Sequence, residues 1–92
     1  MTYEWDPAKA RANARKHRVS FEEAASVFLD RSALTFWDPD HSEEEDREIT
    51  IGRSAQQRVL FVAHAPRAGR LRIISARKGT RKEKKQYEEA TQ

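Results

Sequence analysis

The stretch from Leu71 to Tyr87, LRIISARKGTRKEKKQY, admits few local arrangements. Leu71, Ile73 and Ser75 alternate with Arg72, Ile74 and Ala76, a mostly apolar period-2 run that reads as a well-buried strand ending near Arg77. Gly79 breaks it. Thr80 followed by Glu83 is a capping box, whose hydroxyl and carboxylate take up free backbone N–H groups, so a helix is predicted from Thr80 to about Ala90. Between Arg70 and Lys85 stand eight Lys or Arg residues against one acid, Glu83. A solvated basic face would account for such a run. Here, however, the cations begin inside an apolar strand and continue into a helix N-terminus, whose N–H groups and dipole already favour an anion. Phosphate is the natural guest.

The rest of the chain supplies a frame for that platform. Tyr3 to Trp5 reads as a short edge strand, and Asp6-Pro7 as N-cap and first residue of a helix running to about His17. Lys9, Asn13, Lys16 and His17 share one face of it by their spacing, and Lys16 and His17 also suit the negative end of the helix dipole. Ser20 with Glu23 forms a second capping box, and Phe21, Ala24, Ala25 and Phe28 give the next helix an apolar stripe to about Leu29. Strands follow at Ala33 to Trp37, Arg47 to Ser54 and Arg58 to Ala65, the last so apolar (VLFVA) that it should be central. Trp37 faces away from Leu34 and Phe36, as a packed residue or a platform for a base. Hairpins at Ala55 to Gln57 and Pro66 to Gly69 make sequential antiparallel pairing of the last four strands the economical topology, with the helices on one face. The predicted class is α+β: an antiparallel sheet of four to five strands, two N-terminal helices and one C-terminal helix.

Ninety-two residues, 37% of them hydrophobic, make one domain, residues 1–92, with a small core. Cysteine is absent, which removes disulfides, thiolate metal sites and thiol redox chemistry. No apolar run suggests a leader or a membrane span, so a soluble, cytoplasmic protein is expected. Net charge is only +3, yet Asp38 to Glu48 carries seven acids against Arg47 alone. His41 among them invites a metal reading, but the loop lacks the glycine and alternating ligands of a calcium loop, and electrostatic docking to a basic partner suits it better. No zinc spacing, phosphate-binding glycine loop or nucleophile elbow occurs. Metal-free and cofactor-free chemistry on a phosphate backbone, or plain binding to one, is what remains.

EWDPAKARANARKHRVSFEEAASVF near the start and RIISARKGTRKEKKQYEE near the end resemble the BrnT family, toxins of bacterial type II toxin-antitoxin pairs related in fold to the RelE ribonucleases. The resemblance runs from Glu4 to Glu89. It implies a RelE-like sheet with helices, RNA as substrate, cleavage without a metal, and neutralisation by a BrnA-like antitoxin through which alone operator DNA is bound. Trp5, Asp6, Lys9, Asn13, Lys16, His17 and Phe21 match the first motif, and Arg72, Ser75, Arg77, Thr80, Glu83 and Tyr87 the second. Arg18 departs from it, because the family usually has Gly after the Lys-His pair, and a left-handed helix cap there would suit Gly.

Cleavage of this kind needs a base for the 2′-hydroxyl, donors for the pentavalent phosphate and an acid for the 5′-oxygen. Arg77 and Arg81 are the expected phosphate ligands, as fork-shaped cations beside a helix N-terminus, with Arg72 as a third. His64, at the end of the central strand, is the expected acid or base. Lys9, Lys16, His17, Lys78, Lys82 and Tyr87 are expected to contact RNA. A non-catalytic module that binds nucleic acid or an antitoxin as co-repressor is the alternative.

Overall fold

In the computed structural model, which describes residues 1–41 and 46–91, the chain runs β1 (Tyr3–Glu4), α1 (Pro7–His17), α2 (Phe21–Ser26), a 3-10 turn (Val27–Leu29), β2 (Leu34–Trp37), β3 (Glu48–Arg53), β4 (Val59–Arg67), β5 (Arg70–Lys78) and α3 (Arg81–Ala90). The sheet order is β1-β5-β4-β3-β2. β2 to β5 pair antiparallel in sequence order, as expected, while β1 joins the outer side of β5 in parallel. The predicted antiparallel sheet is thus mixed at one edge. Residues 42–45 of the acidic loop lie outside the described residues, and with them part of the metal reading placed on it; the His41 of that reading has its Nδ1 3.1 Å from Asp38 Oδ2.

The helix starts follow from their caps. Asp6 accepts from Ala8 N at 2.8 Å with Pro7 at the first helical position, and Ser20 accepts from Glu23 N at 3.0 Å. In α3 the capping box closes both ways, Thr80 Oγ1 accepting from Glu83 N and Glu83 Oε1 from Thr80 N. The Ser20 box does not close. The Glu23 carboxylate turns inward to Arg58 and Ser54 instead. At the end of α1 the left-handed cap is occupied after all, by Arg18 at φ 59° and ψ 32°, its N–H donating to Ala14 O at 2.9 Å.

α1 and α2 cover one face, where Val19, Phe21, Ala24 and Val27 meet Leu60, Val62, Ile73 and Ala76. Trp5 anchors this layer edge-on against Phe21 at 5.9 Å. The third helix does not join them. Tyr87 carries α3 onto the opposite face, against Ile49, Ile51, Val59 and Ala63. The reason lies in β4, whose nearly unbroken apolar run gives both faces something to bury. Gly52 marks the closest approach: a Cβ there would stand 2.8 Å from Val27 Cγ1 and 2.9 Å from Ala33 Cβ.

β5 does not alternate strictly. A bulge between Ala63 and His64 pairs Ala63 with Ser75 but His64 with Ile73, leaving Ile74 as the extra residue. Leu71, Ile73 and Ala76 therefore face α1 and α2, whereas Ile74 and Arg77 share the α3 face. Where β1 ends, Asn13 takes over the edge of β5. Its amide donates to Ala76 O at 2.8 Å and Val19 O at 3.0 Å, and accepts from Ala76 N at 3.1 Å. Asn13 is thus a structural plug and no part of an exposed α1 face.

Candidate nucleic-acid interface

The sheet divides the residues singled out from sequence. Phe61 pairs with Arg77 across β4 and β5, and the Arg77 guanidinium lies 3.9 Å from the Phe61 ring centroid. It is also held bidentately by Glu83, at 2.8 and 3.0 Å. That grip, ahead of the backbone N–H of Thr80, holds the Glu83 carboxyl below the usual carboxylate range. Arg77 is therefore neutralised and stacked. Arg72 donates to Glu4 at 3.0 Å on the same face. Arg81 is exposed at the start of α3 and makes no ion pair among the described residues.

His64 lies on the other face, beneath Phe28, whose ring meets it edge-on at 4.9 Å. The four expected catalytic side chains therefore form no single constellation. The imidazole is 3% exposed, and burial pushes its pKa down to about 4, so it is neutral at pH 7. Its Nε2 is 2.7 Å from Thr50 Oγ1, which is 2.8 Å from Thr35 Oγ1. Among the described residues Nδ1 makes no hydrogen bond. His64 also forms part of the wall of a 240 Å³ cavity with Met1, Glu48, Pro66, Gly69, Arg70 and Leu71.

Of the expected RNA contacts, Lys9, Lys16, Lys78 and Lys82 are exposed and His17 is half-buried. Tyr87 is not available. It is 5% exposed and donates to Asp30 Oδ2 at 2.6 Å, so it is a core residue. Burial and the Asp30 carboxylate both push its hydroxyl pKa up. At Asp30 burial acts in the raising direction, but donation from Tyr87, Arg53 N and Ser32 N outweighs it and leaves the carboxyl low.

Three cations that the sequence pattern did not single out as site residues, Arg53, Arg58 and Lys84, gather with the expected Lys78 at the β3–β4 hairpin. Arg53, Arg58, Lys78 and Lys84, with Gln57, Val59 and Glu88, surround an open cleft of 330 Å³ beside α3. Arg58 is committed: it binds Glu23 through Nε at 2.9 Å and through its NH2 group, and it also donates to Arg18 O at 3.0 Å. Arg58 first, then Ser54, holds the Glu23 carboxyl low against its burial. Lys78 and Lys84 make no ion pair among the described residues and are exposed, so they give the cleft its free charge, whereas the Arg53 guanidinium lies 5.7 Å from the Tyr87 ring centroid and donates to Gln57 O at 3.4 Å. Only the register Arg53↔Val59 and the turn into α3 bring them together, which residue spacing alone does not reveal.

Among the described residues no three His, Asp or Glu side chains converge as metal ligands, and no helix is long and apolar enough to cross a membrane.

Residues 5–83 match the family described as the ribonuclease toxin BrnT of type II toxin-antitoxin systems. Among solved structures, the fold is similar to the crystal structure of the Brucella abortus ribonuclease toxin BrnT. The TM-score is 0.68 at 24% identity, over 88% of this chain and 100% of that one. No curated protein matches the sequence.

Proposed function

The chain belongs to the BrnT family of ribonuclease toxins of type II toxin-antitoxin systems, and from that premise we propose that it cleaves RNA without a metal ion and is held inactive by a BrnA-like antitoxin. Operator DNA is reached only through that antitoxin, and the site of action is the cytoplasm. One observation carries the RNA reading. Among the described residues Lys78, Arg81, Lys82 and Lys84 stand exposed and without ion pairs around the joint between β5 and α3, and Arg53 joins them at the 330 Å³ cleft. Such a group of cations, at a helix whose first turn also points N–H groups outward, suits consecutive phosphates of a single strand. Arg77 and Arg72 become phosphate ligands only where RNA displaces Glu83 and Glu4, so their part in this reading is secondary.

The antitoxin is expected to cover the same cations with an acidic or helical segment, since charge complementarity both guides and specifies such pairing. Incubating the protein with total RNA in EDTA tests the main claim. New fragments at low salt, fading as salt rises and absent with antitoxin, are the expected result. RNA that is bound and shifted but never shortened would instead favour the non-catalytic co-repressor reading.

A further inference from the structure

β2, β3 and β4 each bring one residue to the same level on the face that carries α1 and α2, with His64 beneath Phe28 and Trp37 exposed. The register pairs Trp37 with Glu48 and Glu48 with His64, so the three side chains stand in a row, neighbours about 5 Å apart at Cβ. The face is fixed by the next row up, where Thr35 and Thr50 share a hydrogen bond and Thr50 reaches His64. Trp37 is 59% exposed, so it is not the packed residue that sheet tryptophans commonly are. Arg70, exposed and without an ion pair among the described residues, stands at the cavity that Glu48 and His64 line.

Each member has the chemistry that one nucleotide requires. An exposed indole offers a stacking face for a base, and a guanidinium offers paired donors to a phosphodiester. The Thr35–Thr50–His64 chain engages Nε2. When Nε2–H donates into that chain, the lone pair is left on Nδ1, the nitrogen with no hydrogen bond among the described residues. Thr50 is then a positioning residue that fixes the orientation of the imidazole ring.

We propose that the row Trp37–Glu48–His64, with Arg70, is the cleavage subsite for one nucleotide of a single-stranded RNA. Trp37 stacks the base and Arg70 holds the scissile phosphate. Nδ1 of His64 takes the proton of the 2′-hydroxyl as that oxygen bonds to phosphorus. The bond from phosphorus to the 5′-oxygen breaks, the leaving oxygen takes a proton from water, and the products are a 2′,3′-cyclic phosphate and a 5′-hydroxyl. The Glu48 side chain, directly opposite, faces the imidazolium that forms.

This assignment rests on the ribonuclease reading above and deepens it, so the test separates the two. Steady-state cleavage of a short RNA in EDTA is measured for the wild type, His64→Asn, Trp37→Ala, Trp37→Phe, Thr50→Val and Thr50→Ser. Alongside, tryptophan emission is followed on adding a 2′-O-methyl oligonucleotide, which has no 2′-hydroxyl to lose. His64→Asn should lower kcat by roughly two orders of magnitude or more. Trp37→Ala should raise KM roughly tenfold with kcat little changed, and Trp37→Phe should recover much of it. Thr50→Val should lower kcat at unchanged KM, with Thr50→Ser restoring it. The oligonucleotide should quench the wild type but not Trp37→Phe, in which Trp5, packed on Phe21, is the remaining indole. Because Trp37 is exposed, its variants fold whatever His64→Asn does. A wild type that cleaves while His64→Asn and Trp37→Ala stay within twofold of it overturns this site and leaves the ribonuclease reading standing. A wild type that cleaves no RNA overturns both.

Discussion

The two ends of the sheet handle polar groups in opposite ways. At the β3–β4 hairpin end the inward-facing carboxylates are all committed, while the lysines Lys78 and Lys84 stay exposed: Glu23 to Arg58 and Ser54, Glu83 to Arg77 and Thr80 N, Asp30 to Tyr87 and Arg53 N. Roughly 17 Å away along β4, His64 lines a cavity with Nδ1 making no hydrogen bond among the described residues, and Trp37 and Arg70 are exposed beside it. Groups whose hydrogen bonds are already made hold the fold, and groups left open are available to a ligand. If that division is right, removing carboxylates at the two ends has unequal consequences. Glu23, whose side chain is 2% exposed, leaves Arg58 uncompensated when replaced by Ala, at a cost of about 3 to 5 kcal/mol in urea unfolding. Glu48→Gln at the open end should fall within about 0.5 kcal/mol of the wild type. Equal losses would erase the distinction.

Acid separates the ends next. His64 has its folded pKa depressed to about 4 from 6.5, so the unfolded chain binds the proton first. The stability that neutral His64 represents is fully present above pH 6.5 and is lost as pH falls toward 4, about 3 kcal/mol in all. Glu23 and Glu83, whose folded values are lowered from 4.5, contribute stability that is present above pH 4.5 and lost only below it. The open end therefore weakens first. Urea midpoints between pH 7 and 4.5 should slope in the wild type and lie nearly flat in His64→Asn; an unchanged slope in the variant would assign the effect elsewhere.

What the sequence revealed and what it hid divide along the same line. Strand order, hairpins and caps were legible because each is written within a few neighbouring residues: Asp6-Pro7, Thr80 with Glu83, the apolar run of β4. Partner choice was not. Ser20 with Glu23 and Thr80 with Glu83 carry the same capping signal, yet Glu23 leaves its cap for Arg58, 35 residues on. The density of cations at Arg77 and Arg72 suggested free phosphate ligands, although Glu83 and Glu4 already hold both. The row Trp37–Glu48–His64 joins three strands and depends on register, and the bulge at Ile74, which resets the faces of β5, has no mark in the residue pattern. The α3 position was hidden for a similar reason, since a helix that follows a strand fits either face until it is known which apolar residues lie uncovered.

Arg77 tests the locked end with a smaller effect. Replacing it by Ala removes two charge-assisted hydrogen bonds and the stack on Phe61 and leaves Glu83 with its cap alone. At 35% side-chain exposure the expected cost is about 1 to 2 kcal/mol, or a fall of several degrees in Tm. An unchanged Tm with lost cleavage would return Arg77 to the site and blur the contrast between the ends.

The smallest effect is expected where the locked end is itself strained. Arg18 holds a left-handed conformation at the end of α1, a position that suits glycine because a Cβ crowds the following carbonyl. Its side chain makes no hydrogen bond or ion pair among the described residues, but its carbonyl accepts from Arg58, so the strained residue is fixed by the same Glu23–Arg58 unit that secures this end. Arg18→Gly relieves the Cβ and gives up some order in the unfolded chain, and the first should prevail by about 0.5 to 1 kcal/mol of added stability. In the Glu23→Ala background Arg58 loses its anchor, and the carbonyl of residue 18 is held less firmly. The gain from Arg18→Gly should then change, because residues in one network do not add independently. Strict additivity in that double-mutant cycle would mean that the cap and the ion pair are separate devices.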